Sequence, residues 1–161
     1  MLTLISVLLL VGAGLTVYFV THPNRSNIID VDVADGTSSE VRFESLALIP
    51  GASSSYTVRL NSEVTDEYEV VLEFDGTASA GLCENLVVEI DCKGMANRKT
   101  AKLTELLSGK SIIIYDTLTE GEPYEIKITY HLPESVGNEA QNTEASFDLT
   151  IKTSNAGGFY E

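Results

Sequence analysis

The sequence predicts an all-β fold: an antiparallel, jelly-roll-like β-sandwich with one short helix, preceded by an N-terminal hydrophobic export helix. Two observations lead to this prediction. From Asn27 onward, apolar and polar residues alternate strictly in short runs, which is the period of half-buried strands. Glycine, proline and asparagine separate these runs at the positions where turns are expected. The sequence has no regular succession of strand and helix patterns, which disfavours a parallel α/β sheet.

Each alternating run carries its apolar side chains on one parity. The clearest runs are Asn27–Val33, Tyr56–Leu60, Tyr68–Phe74, Leu86–Ile90, Tyr124–Leu132 and Phe147–Ile151. On this pattern the following residues are predicted to face the core: Val70, Leu72, Ile126, Ile128, Phe147 and Leu149. The predicted solvent-facing residues are Glu69, Glu73, Lys127 and Lys152. Because the side-chain period of a strand is two, a slip of one residue would reverse every one of these assignments.

Three segments depart from simple alternation. Val41 and Phe43 fall on one parity and Leu46 on the other, so a bulge near Glu44–Ser45 is expected. The apolar run Ile112–Tyr115 predicts a strand covered on both faces. Thr100–Leu107 predicts the one short helix, because its leucines share one helical face.

The chain divides into four predicted parts. Residues 1–20 form a signal peptide or a membrane anchor, residues 21–36 a linker and possible donor strand, residues 37–155 the β-sandwich domain, and residues 156–161 a C-terminal tail. An apolar run of about 20 residues satisfies either N-terminal interpretation, since it is just long enough to span a bilayer. Both interpretations predict a secreted protein at the cell surface, in contact with membrane only through residues 1–20 if these are retained.

Charge excludes one class of partner. The chain has 24 acidic and 10 basic residues and a net charge of -14, which repels nucleic acid and anionic lipid surfaces. We therefore expect no nucleic-acid partner.

Motifs for catalysis or metal binding are absent from the sequence. It has neither a His-Glu-x-x-His pair nor a Gly-x-Ser-x-Gly elbow, and His131 is the one histidine within the predicted domain. Paired carboxylates such as Asp30 and Asp32 fit a solvated charged face better than a calcium site. We predict no catalytic residues, no cofactor and no metal.

Cys83 and Cys92 leave one question open. If the eight residues between them formed one straight strand, the cysteines would lie about 30 Å apart, whereas a disulfide needs Cα atoms within about 7 Å. Export permits a disulfide, but pairing requires the flanking segments to curl back.

Three groups of motifs together resemble a known family. The first is the glycine-containing apolar stretch Gly12–Thr21, and the second is Leu48–Gly51 followed by Tyr56–Asn61. The third and most specific contains Tyr124–Ile128, Leu132, Pro133, Gly137, Asn138, Gln141 and Phe147–Ile151. In these motifs the chain resembles the camelysin/TasA-like family of exported biofilm-matrix fibre proteins.

The resemblance implies a jelly-roll-like sandwich and self-association into fibres, or with related matrix subunits, by strand donation. The candidate donor strand carries Ile29, Val31 and Val33 on one face. The family-motif loop carries Pro133, Gly137, Asn138 and Gln141, whose amides are expected to bond loop backbone. The metalloprotease activity in the family's name has no zinc motif to support it here. The alternative function is a membrane-tethered extracellular β-sandwich binding module.

Overall fold

A computed structural model of the chain describes residues 9–10, 15–19, 27–34, 36–46, 49–93, 98–137 and 144–155. Within these ranges strands dominate and two short helices interrupt them. The elements are β1 (Leu9–Leu10), β2 (Leu15–Phe19), β3 (Asn27–Val33), β4 (Thr37–Leu46), β5 (Ser53–Ser62), β6 (Asp66–Ala78), α1 (Ala80–Asn85), β7 (Val87–Cys92), β8 (Lys99–Lys102), α2 (Leu103–Leu107), β9 (Ile112–Leu118), β10 (Tyr124–His131) and β11 (Ala145–Asn155).

The strands form two sheets around one apolar core. Sheet A has the order β1-β2-β4-β11-β6-β9 and sheet B the order β3-β5-β10-β7-β8. The prediction of an all-β sandwich is therefore confirmed. Its antiparallel character needs one correction, because β2 pairs with β4, and β3 with β5, in parallel. The chain passes from β3 in sheet B to β4 in sheet A and back to β5, so β3 and β5 run in the same direction and become parallel neighbours.

The predicted N-terminal helix is wrong for the part of that segment that the structure describes. Residues 9–10 and 15–19 form strands β1 and β2, and β2 extends sheet A beside β4 in the register Thr16↔Glu40 to Phe19↔Phe43. A run that contains threonine, valine, tyrosine and phenylalanine has high strand propensity, and β4 offers it an edge to pair with. Among the described residues no helix has the length and apolarity needed to cross a membrane. The predicted linker residues 21–26 and the tail 156–161 lie outside the described ranges.

The predicted core parity is confirmed. All six residues predicted to face inward are at most 2% exposed, whereas the four predicted to face solvent are partly or fully exposed. Tyr130 at the centre of sheet B packs against Tyr56 of its own sheet and Phe147 of sheet A, with ring centroids 5.8 and 5.6 Å away. These rings join the two sheets.

The burial of Tyr130 makes a prediction about alkaline stability. Desolvation, with a smaller contribution from Tyr56, raises the pKa of Tyr130 well above its ordinary value of 10.0. The unfolded chain therefore loses this proton first, and above about pH 10 the free energy of unfolding falls as pH rises. We expect Tyr130→Phe to flatten this decline relative to the parent, while below about pH 9 the two proteins keep a constant difference in stability. Urea unfolding between about pH 8 and pH 11.5 measures the effect, and equal slopes above about pH 10 would contradict it.

The predicted bulge is present in β4. Phe43 pairs with Phe147 and Leu46 with Ala145, so three steps along β4 match two along β11. The extra residue lies at Glu44–Ser45, where the sequence parity changes. A β-bulge of this kind lets a strand stay in its ladder after a change of phase.

Two local predictions need correction. The predicted helix Thr100–Leu107 begins only at Leu103, because Lys99–Lys102 form β8, and the amide of Leu103 donates to the carbonyl of Leu86 to extend the β7–β8 ladder. The helix α1 was missed: it has only six residues and buries only Leu82, so it leaves no helical period in the sequence.

The run Ile112–Tyr115 is not covered on both faces. Ile112 and Ile114 are buried, but Ile113 is 38% and Tyr115 63% exposed. β9 is the outer strand of sheet A and has β6 as its only ladder partner among the described strands, so its alternate residues face solvent.

Candidate assembly surface

The candidate donor strand β3 occupies the edge of sheet B. Ile29, Val31 and Val33 are 2–5% exposed and belong to the common core, while Asp30 and Asp32 are exposed. The strand pairs over its whole length with β5, from Asn27↔Tyr56 to Val33↔Ser62. In this structure β3 therefore completes the sheet of its own domain. It is an outer strand with one apolar face and one acidic face.

The direction of the β3 amides follows from two bonds elsewhere in sheet B. Leu132 N–H donates to Ala52 C=O at 3.1 Å and Leu103 N–H to Leu86 C=O at 2.9 Å. Backbone N–H and C=O groups alternate in direction along a strand, so each of these bonds fixes the direction of all the others in regular ladders. Both bonds give the same result: even-numbered β5 residues direct their backbone groups toward β10, and odd-numbered β5 residues direct theirs toward β3. The register partner of Arg59 is Asp30. In a parallel ladder a residue bonds to the two neighbours of its partner, so Val31 N–H donates to Arg59 C=O. The amides of Asp30 and Asp32 point to the open edge.

The outer face of β3 lies beside a basic side chain. Arg59 is the register partner of Asp30, and its Nε donates to Glu125 Oε1 at 2.9 Å on the other side. Arg59 thus forms an ion pair with the carboxylate on β10 and has Asp30 as its cross-strand neighbour on β3. Because the ion pair of Arg59 and Glu125 is exposed, it contributes little to stability.

Two of the family-motif segments are in direct contact. Gly51 N–H donates to Leu132 C=O at 2.7 Å, so the turn before β5 is joined to the loop that follows β10. Gly51 has a φ of +83°, and a Cβ there would lie 2.9 Å from Glu134 Cγ. Pro133 C=O accepts from Val136 N–H at 3.1 Å in the same loop, which continues to Gly137. Asn138 and Gln141 lie outside the described residues.

The opposite edge of the sandwich is capped by side chains. Lys99 Nζ donates to the carbonyl oxygen of Ile113 at 2.8 Å, and the amide of Thr117 donates to the carboxylate of Asp116 at 2.8 Å. Both backbone groups belong to odd-numbered β9 residues, and both point away from β6. A lysine and an aspartate thus occupy positions that an incoming strand would need, which is a common means of protecting a sheet edge.

We expect removal of both side-chain caps to promote edge-to-edge association of this sheet between molecules. The double variant Lys99→Met, Asp116→Ala exposes the Ile113 carbonyl and the Thr117 amide beside the exposed side chains of Ile113 and Tyr115. Velocity sedimentation should show at least a few-fold more large species than in the parent. Lys127→Met removes a lysine from the central strand β10 and is the matched control. Equal sedimentation of all three proteins would contradict a protective role.

A groove of about 630 Å³ lies at one end of the sandwich. It is lined by residues of both signs from the ends of β7, β9 and β10, among them Asp91, Lys93, Asp116, Glu122 and Lys127. Within the described part of the chain no three His, Cys, Asp or Glu residues lie close enough to hold a metal ion. The groove therefore has mixed charge and, among the residues described, no cluster of metal ligands.

Cys92 and His131 lie on neighbouring strands but far apart along them. Cys83 in α1 and Cys92 in β7 are both free thiols, and Cys92 is buried beside the groove. His131 is exposed and follows Ile126, the register partner of Cys92, by five residues, a distance of about 17 Å along the strand. A base so far away does not activate this thiol.

The contact between the side chains of Thr37 and Thr153 was not predicted from the sequence. Thr153 follows Phe147, Leu149 and Ile151 on the inward parity of β11 and is 3% exposed. Its hydroxyl lies 2.6 Å from that of Thr37, at the start of β4. A polar residue on an otherwise apolar parity was the available signal.

Comparisons with known proteins assign no family. No family model matches the chain, and no curated protein matches it by sequence. Among solved structures it is similar to FlhE (11% identity, 76% of this chain and 99% of that one, TM-score 0.45). It is also similar to PliG of Aeromonas hydrophila, a periplasmic inhibitor of g-type lysozyme (9% identity, 80% of this chain and 99% of that one, TM-score 0.39). A third similar structure is the pre-peptidase C-terminal domain of a Bacillus anthracis collagenase (9% identity, 81% of this chain and 100% of that one, TM-score 0.37). Similarity at this level carries no functional conclusion.

Proposed function

We propose that this protein is an exported, non-catalytic structural subunit of a cell-surface or biofilm-matrix fibre, and that its subunits join by strand donation. In the fibre, β3 of one subunit leaves its own domain and occupies the same position beside β5 of the next. The partner is therefore a second copy of this chain or a closely related subunit.

The observation that carries the proposal is the position of β3. It is an outer strand whose ladder partner is β5, and only residues 34–36 separate it from β4 in the other sheet. A strand with one partner and a short connection can be exchanged between identical domains, because the contacts that the strand itself makes in the closed form are available again in the neighbour. In strand addition, main-chain bonds provide affinity and alternate side chains provide specificity.

Burial accounts for the affinity of β3 for the site beside β5, whichever subunit provides the strand. Ile29, Val31 and Val33 each lose nearly all their exposure, and burial of such a side chain contributes about 1.5–3 kcal/mol. A domain without β3 would expose core beside Val58 and Leu60. An incoming strand with the same three side chains would cover it again.

The test compares residues 18–161 with residues 35–161. Both lack the first three residues of β2, and the shorter protein also lacks Tyr18, Phe19 and β3. If strands are donated, the longer protein forms filaments in electron micrographs. The shorter protein remains a soluble monomer and binds a peptide of residues 27–33. A peptide with Val31 replaced by Asp is the control and should not bind, because it places a carboxylate in the core.

The contrary outcome is equally specific. If the longer protein sediments as a monomer under all conditions and the shorter one is unfolded, β3 belongs permanently to its own domain. N-terminal sequencing of the protein recovered from cells then addresses the alternative function: retention of residues 1–20 favours the membrane-tethered binding module, and cleavage near Val17 favours the fibre.

A further inference from the structure

We infer that Thr37 and Thr153 form a latch that holds β3 on its own sheet; its role in assembly rests on the proposed strand donation. The latch acts on Ala34, the residue that follows β3. It ties that residue to β11, a central strand of the opposite sheet. Release of the latch is the step that frees the β3–β4 connection to straighten.

The hydrogen bonds converge on both backbone groups of Ala34. Its carbonyl oxygen accepts from Thr37 N–H at 3.1 Å and from Thr37 Oγ1 at 2.6 Å, and its N–H donates to the same Oγ1 at 3.1 Å. Thr153 Oγ1 lies 2.6 Å from Thr37 Oγ1 and 3.2 Å from the Ala34 carbonyl oxygen. Each hydroxyl has one proton, so one of them donates to the carbonyl while the other donates across the pair.

The location of this network gives it a specific effect. Thr153 is 3% exposed and fixed within β11, which is paired on both sides, by β4 and β6. Ala34 is thereby attached to the centre of sheet A, although β3 itself lies in sheet B. In the donated form the connection must extend away from its own domain, so Ala34 leaves Thr153 and these bonds are lost. The latch thus stabilises the self-paired form and not the donated one.

The main core cannot discriminate in this way. Ile29, Val31 and Val33 are buried to the same extent whether their strand pairs in its own domain or in a neighbour's, because both sites have the same sequence. Their contribution cancels between the two forms. Interactions confined to the connection do not cancel, and short connections are known to control strand exchange between domains.

The experiment uses the full chain with Thr153→Val, which keeps the shape of the side chain and removes the hydroxyl. Thr153→Ser keeps the hydroxyl and should restore the parent's behaviour. Thr150→Val makes the same change three residues away on the outward parity of β11 and is the matched control. Thr37→Val tests the other half of the latch at a less buried position, in case Thr153→Val prevents folding.

Two measurements are made on each protein. Hydrogen exchange of the Ile29, Val31 and Val33 amides reports the opening of β3 in the monomer, and sedimentation reports assembly. A lost net hydrogen bond corresponds to about a two- to tenfold shift in an equilibrium. We therefore expect the β3 amides of Thr37→Val and Thr153→Val to exchange about two- to tenfold faster than those of the parent. Both variants should also assemble at a correspondingly lower protein concentration, and Thr150→Val should behave like the parent.

The outcomes separate this inference from the proposed function. Faster β3 exchange without filaments from any protein, the parent included, supports the latch and refutes strand donation. A second outcome is that the parent forms filaments, while Thr153→Val and Thr37→Val show the same β3 exchange and the same assembly as Thr150→Val. This outcome refutes the latch and leaves strand donation intact. Faster exchange throughout the sheet in Thr153→Val and Thr153→Ser alike would show a general packing defect and also refute the latch.

Discussion

Val31→Pro is expected to raise the concentration needed for filament formation by roughly ten- to a hundredfold. Proline has no N–H, so the carbonyl of Arg59 loses the donor that the β3–β5 register assigns to it. A buried acceptor without a partner costs about 1–3 kcal/mol, which weakens pairing of this strand by roughly ten- to a hundredfold. The penalty applies in a donated strand and in a self-paired one, because both make the same ladder.

Asp32→Pro is the control for the proline ring itself, since Val31→Pro removes both a ladder donor and a buried side chain. The amide of Asp32 points to the open edge, and its side chain is exposed, so proline there removes no ladder donor. Proline also favours extended backbone at the preceding residue, which β3 already has. We expect Asp32→Pro to form filaments at nearly the parent's concentration, as seen by sedimentation and electron microscopy. Equal loss of filaments in both variants would mean that the orientation of β3 derived from the register is wrong.

Local pattern was sufficient to predict much of the fold. The six core residues tested by parity are all buried, because alternation reports directly on which face of a strand meets the core. The bulge at Glu44–Ser45 was predictable for the same reason: a change of parity within one strand requires an extra residue in the ladder.

Features that depend on pairing between distant segments were not predictable in this way. The exposure of Ile113 and Tyr115 follows from the position of β9 at the edge of sheet A, and alternation does not report strand order. The parallel pairing of β3 with β5 likewise depends on the passage of the chain between sheets. In the candidate site, the common buried face of Ile29, Val31 and Val33 was predictable from their alternation, whereas the Thr37–Thr153 contact joins residues 116 positions apart.

Gly76→Ala is expected to be among the most destabilising single substitutions in the domain. Gly76 lies in β6 opposite Phe147, with a φ of +151° that residues with a Cβ rarely adopt. A Cβ at this position would lie 2.4 Å from the carbonyl oxygen of Ser146 and 2.5 Å from Cα of Phe147. Both atoms belong to the backbone of β11, so no side-chain rotation relieves the overlap and the strand itself must move.

That movement would disturb the centre of the core, because Phe147 carries one of the rings that join the two sheets. Backbone strain and overpacking each cost about 1–3 kcal/mol, so we expect Gly76→Ala to lower the free energy of unfolding by about 2–5 kcal/mol. Gly121→Ala is the matched control, since Gly121 has a φ of +71° but a Cβ added there would have no atom within 4 Å; it should cost only the backbone strain. Urea unfolding of the two variants measures the difference. If Gly121→Ala were as destabilising as Gly76→Ala, the overlap with β11 would contribute nothing and only the positive φ would matter.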